Sequence, residues 1–335
     1  MALRLIKMIE LALLALLIHA GLLMHPGLAS LAAAQFAGPY PAEPIRIVVP
    51  FGPASGPDFA IRALQPALAE ILKQSIRVEN RPGANSIIGT RAVATAPPDG
   101  YTLLGASTGF STIESTTSQP GFSPLRDFKP VGFSARSAGY VLVVSGKSSY
   151  ATMQDLIAAA KRSPVFYGSP GIGNTLHLVA AFFAEKTGTP AKHVPYPGVA
   201  DAVLATARGE VDFTFATLAA VVGQVQSGDL RAIGYAGSTP LTELPSAALV
   251  SSLAPGFRLA EPWAGLLAPA RTPDPAIMIL NNALKRASED PKYKTALQAG
   301  GYVPASNSPE EFRAFLEQNI SDWKQAAQAA GMTPN

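Results

Sequence analysis

The chain has 335 residues, 48% hydrophobic and 15% charged, which is too apolar for a disordered chain and long enough for about two domains. Its 26 Lys and Arg against 23 Asp and Glu give a formal charge of +3 without any block of like charge, so the balance does not mark a nucleic-acid surface. Zero cysteines exclude a disulfide framework, a cysteine zinc site, an iron–sulfur cluster and a thiol nucleophile, and four histidines leave little for a His-rich metal centre.

Residues 1–34 read as an address. Arg4 and Lys7 precede an apolar run from Ile9 to Met24 and a small-residue end at Ala32-Ala33-Ala34, the order of a cleaved secretory signal. Glu10 and His19 interrupt the run, and it falls short of the roughly 20 residues of a spanning helix, which argues against a membrane anchor. Cleavage near Ala34 leaves 24 basic and 22 acidic residues and only His177 and His193. An exported chain without cysteines suits a periplasm, where disulfides are permitted but not required.

From residue 45 onward, short β-branched runs alternate with amphipathic stretches. Strands are expected at 45–49, 76–79, 101–104, 140–144, 165–167, 211–215, 231–235 and 264–267, with helices at 58–73, 152–162, 174–187, 199–208 and 217–227. Thr152 with Asp155 reads as a capping box. This alternation predicts parallel sheets with crossover helices. The chain ends on two long helical stretches, 274–299 and 308–330, the second opened by Ser308 as cap and Pro309 in the first turn.

Glycine and proline cluster at the ends of the strands, where open α/β sheets place their ligand crevice. Pro50 to Asp58, PFGPASGPD, is a Gly-rich turn before a helix, whose free N–H groups and positive dipole end suit a carboxylate or phosphate. Asp58 reads as a cap of that helix or as an organiser of the loop. Tyr167 to Leu178, YGSPGIGNTLHL, repeats the construction. Its GIGNTL is like a dinucleotide fingerprint, but Leu176 replaces the last glycine and AKHVPY offers no acidic residue downstream, so no cofactor is expected.

Gly105-Ala106-Ser107-Thr108-Gly109 fits a nucleophile elbow, with Asp155 and His193 in the right order for a serine hydrolase. The following FSTIESTTSQPG lacks helical periodicity, which argues against an elbow and leaves Ser107 and Thr108 as hydrogen-bonding groups for a ligand. His177, in the first turn of its helix, and His193, on an expected strand, show no metal-ligand spacing. Tyr196 and Trp263 are aromatic candidates for a pocket wall.

Taken together, these segments resemble the Bug family, periplasmic solute receptors of tripartite tricarboxylate transporters. The resemblance runs from about Tyr40 to Met332 through YPAEPIRIVVPFGPASGPD, VENRPGANSIIGTRAVATAPPDGYTLL, YGSPGIGNTLHL, HVPYPG, GEVDFTF, WAGLLAPARTP and the C-terminal SPEEFRAFLEQNISDWKQAAQAAGM. It implies a type II periplasmic-binding-protein fold, with two α/β lobes closing on a ligand like a flytrap and C-terminal helices returning to the first lobe. The lobes would occupy 40–140 and 141–263, with 264–335 rejoining the first.

The resemblance further implies a small carboxylate ligand, a membrane permease as partner, no metal or cofactor, and a monomer. Ligand contacts carried over from the family fall in the first lobe at Phe51, Ala54, Ser55, Gly56, Asp58, Asn85, Ser107, Thr108 and Gly109. In the second lobe they fall at Ser169, Gly171, Gly173, Asn174, Thr175, His177, Tyr196, Gly198 and Ala216. Two departures bear on the ligand. Ala54-Ser55 stands where the family carries glycines and Pro57 where it carries Thr, removing one N–H donor. Ala216 replaces a common aspartate, which disfavours an amine and points to a dicarboxylate or an aromatic carboxylate. An exported hydrolase using Ser107 and a ligand-sensing receptor for a signalling partner are the alternatives.

Overall fold

The β-branched run Ile45–Val49 forms strand β1, buried because neighbouring strands and helices cover both of its faces. The computed structural model describes residues 40–335, apart from 138, 239, 240, 242, 258–260, 330, 333 and 335; the signal sequence expected at 1–34 lies outside the described residues. Residues 43–335 form one unit with two sheets.

In the first lobe, β1 is followed by helix α1 (Gly56–Leu72), β2 (Ile76–Asn80), α2 (Ile87–Ala94), β3 (Thr102–Ser107), α3 (Thr108–Thr116) and β4 (Phe128–Ser137). The second lobe comprises β5 (Gly139–Ser145), α4 (Met153–Ala160), β6 (Val165–Ser169), α5 (Thr175–Thr187), β7 (Ala191–Pro195), α6 (Val199–Arg208), β8 (Phe213–Ala216), α7 (Leu218–Ser227), β9 (Leu230–Gly237) and β10 (Ala248–Leu249). The chain then returns through β11 (Trp263–Pro269), α8 (Asp274–Glu289), α9 (Pro291–Gln298), β12 (Tyr302–Pro304) and α10 (Pro309–Ala329).

The first sheet has the order β12-β4-β11-β3-β1-β2 and the second β10-β9-β5-β8-β6-β7. Both are mixed, which corrects the expectation of parallel sheets. β1 pairs parallel with β2 and β3, but β11 runs antiparallel to β3 and β4. In the second sheet β5 runs antiparallel to β8 and β9. The reason is topological: β4 leads into β5, and the chain comes back into β11, so strands joining the sheets enter them against the direction of the βαβ units.

Two expected elements change. The stretch 274–299 is two helices, because Pro291 disfavours a helical conformation at Asp290, which instead caps α9. The segment after Ser107 is helical, as α3, although its sequence lacks periodicity. The Thr152–Asp155 capping box forms as read, and Ser308 with Glu311 makes a second one at α10.

Each lobe has its own core. Val48, Leu104, Phe110, Phe133, Trp263 and Phe312 belong to the first, and Leu142, Leu156, Phe183, Phe213 and Phe215 to the second. Helix α10 serves both: Phe312 and Leu316 near its start pack in the first-lobe core, whereas Trp323 and Ala327 near its end pack in the second. The C-terminal helices thus return to the first lobe, and the last of them goes on to the second.

Candidate functional site

Strands β1, β3, β6, β7 and β8 each run directly, or through one short loop, into a helix, α1, α3, α5, α6 and α7. Residues from the start of each of these helices line a single cleft between the lobes: Ser55, Gly56 and Pro57; Thr108 and Gly109; Thr175 and Leu176; Val199; Thr217. Phe51, Ser107 and Asn174 join them, and Tyr140, Pro262, Trp263 and Tyr302 complete the wall from the strands where the lobes meet. The cleft encloses about 480 Å³ including its mouth, and the centre of a water molecule reaches only about 50 Å³ of it.

Its electrostatics come from dipoles. Among the described residues no Asp, Glu, Lys, Arg or His lines it. Helices α1, α3 and α7 have Ser55, Ser107 and Thr217 at their N-caps, yet none of these side chains caps its own helix. Their first-turn N–H groups and positive dipole ends therefore have no side-chain acceptor, the arrangement that favours an anion. Helix α5 differs, because Asn174 Oδ1 accepts the Leu176 N–H at 3.0 Å. Tyr140 and Tyr302 are held protonated, their pKa values raised chiefly by burial, so both remain hydroxyl groups at any physiological pH.

Three buried hydroxyls in this wall, Tyr140 Oη, Thr175 Oγ1 and Thr217 Oγ1, have no hydrogen-bond partner among the described residues; Tyr302 lies close enough to Thr217 to be influenced by its hydroxyl, but the two do not reach hydrogen-bonding geometry. Tyr140 lies close enough to Thr108 to be influenced by its hydroxyl, but the two do not reach hydrogen-bonding geometry, and Thr108 Oγ1 accepts the Trp263 N–H at 3.3 Å. Gly56 is required by close approach. A Cβ there would stand 2.5 Å from Tyr302 Oη and 2.6 Å from Thr217 Oγ1, so a side chain would push the lobes apart.

Of the residues expected from the sequence, Phe51, Ser55, Gly56, Ser107, Thr108, Gly109, Asn174 and Thr175 line the cleft. Asp58 and Ala54 stand behind it. Asp58 Oδ1 accepts from Arg62 Nε at 2.9 Å and Asn80 Nδ2 at 2.7 Å, and Oδ2 accepts the Ala54 N–H at 3.1 Å. Ala54 has φ 60, a left-handed conformation that this bond helps to hold. Asp58 is therefore the organiser of the loop.

Asn85 bridges the lobes instead of lining the cavity. Its Nδ2 donates to Gly173 O at 3.0 Å and to Thr116 Oγ1 at 3.3 Å, and its Oδ1 accepts from Asn174 Nδ2 at 3.4 Å. Three consecutive non-glycine residues, Ala84, Asn85 and Ser86, have φ of 45, 51 and 71, a costly run that presents Asn85 to the other lobe. Across from it Gly173 has φ +77, and a Cβ there would stand 2.7 Å from Thr116.

Ser169, Gly171, His177, Tyr196, Gly198 and Ala216 do not line the cleft. Ser169 Oγ donates to Gly171 O and shares a 2.6 Å bond with His193 Nε2. His177 Nδ1 accepts the Gly173 N–H at 3.0 Å, and its ring stacks on that of His193 at 3.9 Å between centroids. Burial lowers both imidazoles to about 4, with the neighbouring His193 adding to the effect on His177. Both histidines are thus engaged in the second lobe and Asp155 is committed to capping α4, so no triad assembles around Ser107.

Sequence reasoning did not single out Tyr140, Leu176, Val199, Thr217, Pro262 and Tyr302 as site residues. Thr217 could have been found as the residue between a strand and a helix in the same pattern that marks Ser55 and Ser107. Tyr140 and Tyr302 carry no local signal, since only the meeting of the sheets brings them to the cleft. Among the described residues no cluster of metal-binding side chains occurs, and no helix is long and apolar enough to cross a membrane.

The tripartite tricarboxylate transporter family receptor profile matches residues 60–332. Protein BugT of Bordetella pertussis is 31% identical over 307 residues, covering 90% of this chain and 94% of BugT. Among solved structures, the periplasmic binding protein BugD is similar with a TM-score of 0.83 at 28% identity, over 88% of this chain and all of that one. A protein of R. palustris solved with adipate is similar with a TM-score of 0.84 at 28% identity, over 89% of this chain and all of that one. The chain is a two-lobed periplasmic-binding-protein fold and belongs to the Bug, or tripartite tricarboxylate transporter, receptor family, whose members are solute-binding receptors and not enzymes.

Proposed function

We propose that the protein captures a small organic carboxylate in the periplasm and delivers it to the membrane permease of a tripartite transporter. The observation that carries this reading is a cleft lined, among the described residues, by no charged side chain, in which three helix N-termini without side-chain caps meet buried hydroxyls. Such a site attracts an anion through backbone dipoles and neutral donors. Adipate in a structural relative that is 28% identical to this chain supports a carboxylate, and the leader-like residues 1–34 support export.

The lining narrows the class. No carboxylate stands in the wall to neutralise an ammonium group, and Ala216 behind it supplies none, which disfavours amino acids. Phe51, Pro57, Leu176, Val199, Pro262 and Trp263 offer an apolar bed for a carbon skeleton, which suits an aliphatic dicarboxylate or an aromatic carboxylate. Ligand that touches both lobes stabilises the shut form, so binding and closure are one equilibrium.

A thermal-shift panel of adipate, malate, citrate and benzoate tests the reading, with glutamate and lysine as amine-bearing controls. At least one carboxylate is expected to raise the melting temperature by several degrees, as ligand at about a hundred times its Kd adds ~2.7 kcal/mol. No response to any carboxylate, or a response confined to the amino acids, would overturn it.

A further inference from the structure

We infer that the hydroxyls of Tyr140, Thr175 and Thr217 are ligand contacts that couple occupancy of the cleft to closure of the lobes. Each belongs to a residue more than nine-tenths buried, at 3%, 6% and 7% exposure, that lines the cleft, and each lacks a partner among the described residues. Buried polar groups are nearly always hydrogen-bonded in folded proteins, so three orphans on residues that line one cavity indicate what that cavity is built to receive. It is a group with acceptor oxygens, such as a carboxylate. The inference rests on the carboxylate reading above and adds the residues that select for it.

The three come from separate places. Tyr140 stands at the start of β5, where the chain has just crossed from the first sheet. Thr175 opens α5 and Thr217 stands at the N-cap position of α7 without its side chain bonding that helix, both in the second lobe. Thr217 meets Gly56 of the first lobe across the cleft, and Tyr140 lies beside Thr108. In the shut form these hydroxyls are withdrawn from bulk solvent without a protein partner, which disfavours closure over an empty site. A ligand oxygen accepting from them removes that penalty, so they contribute to affinity only in the shut form. This is the differential interaction that a ligand needs to shift an open–shut equilibrium.

The sign of the effect on the protein without ligand distinguishes this role from a structural one. Removing a hydroxyl that holds the fold together lowers the melting temperature, whereas removing an orphan without changing shape leaves it unchanged or raises it. The experiment compares Tyr140→Phe and Thr217→Val with the wild type, measuring melting temperature without ligand and affinity for adipate, malate, citrate and benzoate by calorimetry. The expected result is an unchanged or higher melting temperature, with affinity for whichever carboxylate binds the wild type falling about tenfold or more in each variant.

Wild-type affinity retained by both variants overturns the inference and leaves the carboxylate reading intact. Lower melting temperatures in both also overturn it, because the hydroxyls are then structural. Failure of the wild type to bind any of the four carboxylates overturns the reading beneath and the inference with it. If Thr217→Val alone fails to fold, Thr175→Val takes its place with the same expectations.

Discussion

Asp58 shows how a single side chain shapes the site without entering it. Its two oxygens gather Arg62, Asn80 and the Ala54 N–H, and the loop they fix opens α1 toward the cleft. The glycine-rich segments containing Phe51, Gly56 and Asn174 were legible in the sequence because turn chemistry is local. The side chains that face one another across the cleft were not. His177 illustrates the difference: its place in a first helical turn was readable, its stacking on His193 was not. Both imidazoles are held neutral with pKa values near 4, chiefly by burial. As pH falls below the ordinary value of ~6.5, the unfolded chain therefore takes up protons first. Stability is fully present above about 6.5, declines as the pH drops toward 4, and is flat below that with respect to these groups. The expected loss is on the order of 2 kcal/mol from the buried His177 and less from the half-buried His193. Melting curves between pH 7 and pH 4 should show this decline, and a His177→Phe variant should show a shallower one. An equal slope in both would mean that carboxylates alone set the acid response.

Among the elements, α2, α3, β4, β10 and β12 were not expected from the sequence, and α3 and β4 show why. Every residue of α3 except Glu114 is buried, so no polar face gives it helical periodicity. Its hydroxyls turn inward to the preceding turn, with Thr112 donating to Gly109 O, Ser115 to Thr112 O and Thr116 to Thr112 O. Strand β4 contains Pro130 and Gly132, which read as breakers. It survives inside the sheet because its pairing with β11 shifts register beside Pro130. Helix α10 joins two cores, and its Trp323 is 1% exposed in the second. Trp323→Ala should cost about 3–5 kcal/mol, read as a lower denaturation midpoint. A loss below about 1 kcal/mol would show that the end of α10 does not bear on the second core.

For the whole molecule, the question is what holds the lobes shut. The direct polar clasp runs from Asn85 to Gly173 and Asn174. Asn85→Ala removes those bonds and should shift the unliganded protein toward the open form, seen as a larger radius of gyration by solution scattering, with about a 5–10-fold weaker affinity for carboxylate from ~1 kcal/mol of lost clasp. An unchanged radius and affinity would show that the clasp carries no closing energy.

The sequence by itself determined the alternation of strands and helices, the Gly-rich turns at strand ends, the family, and the helix starts on which the proposal of an anionic ligand rests. These are legible because periodicity, capping and turn preference act over a few residues. Only the tertiary structure decided which groups meet. Tyr140, Thr217 and Tyr302 come from three separate stretches of the chain and converge because mixed sheets bring their crossing strands together at the cleft. Ser169, His177 and Ala216, though adjacent in sequence to lining residues or close to them, face away into the second lobe's own packing. Long-range contact depends on how elements pack, and no local preference encodes that.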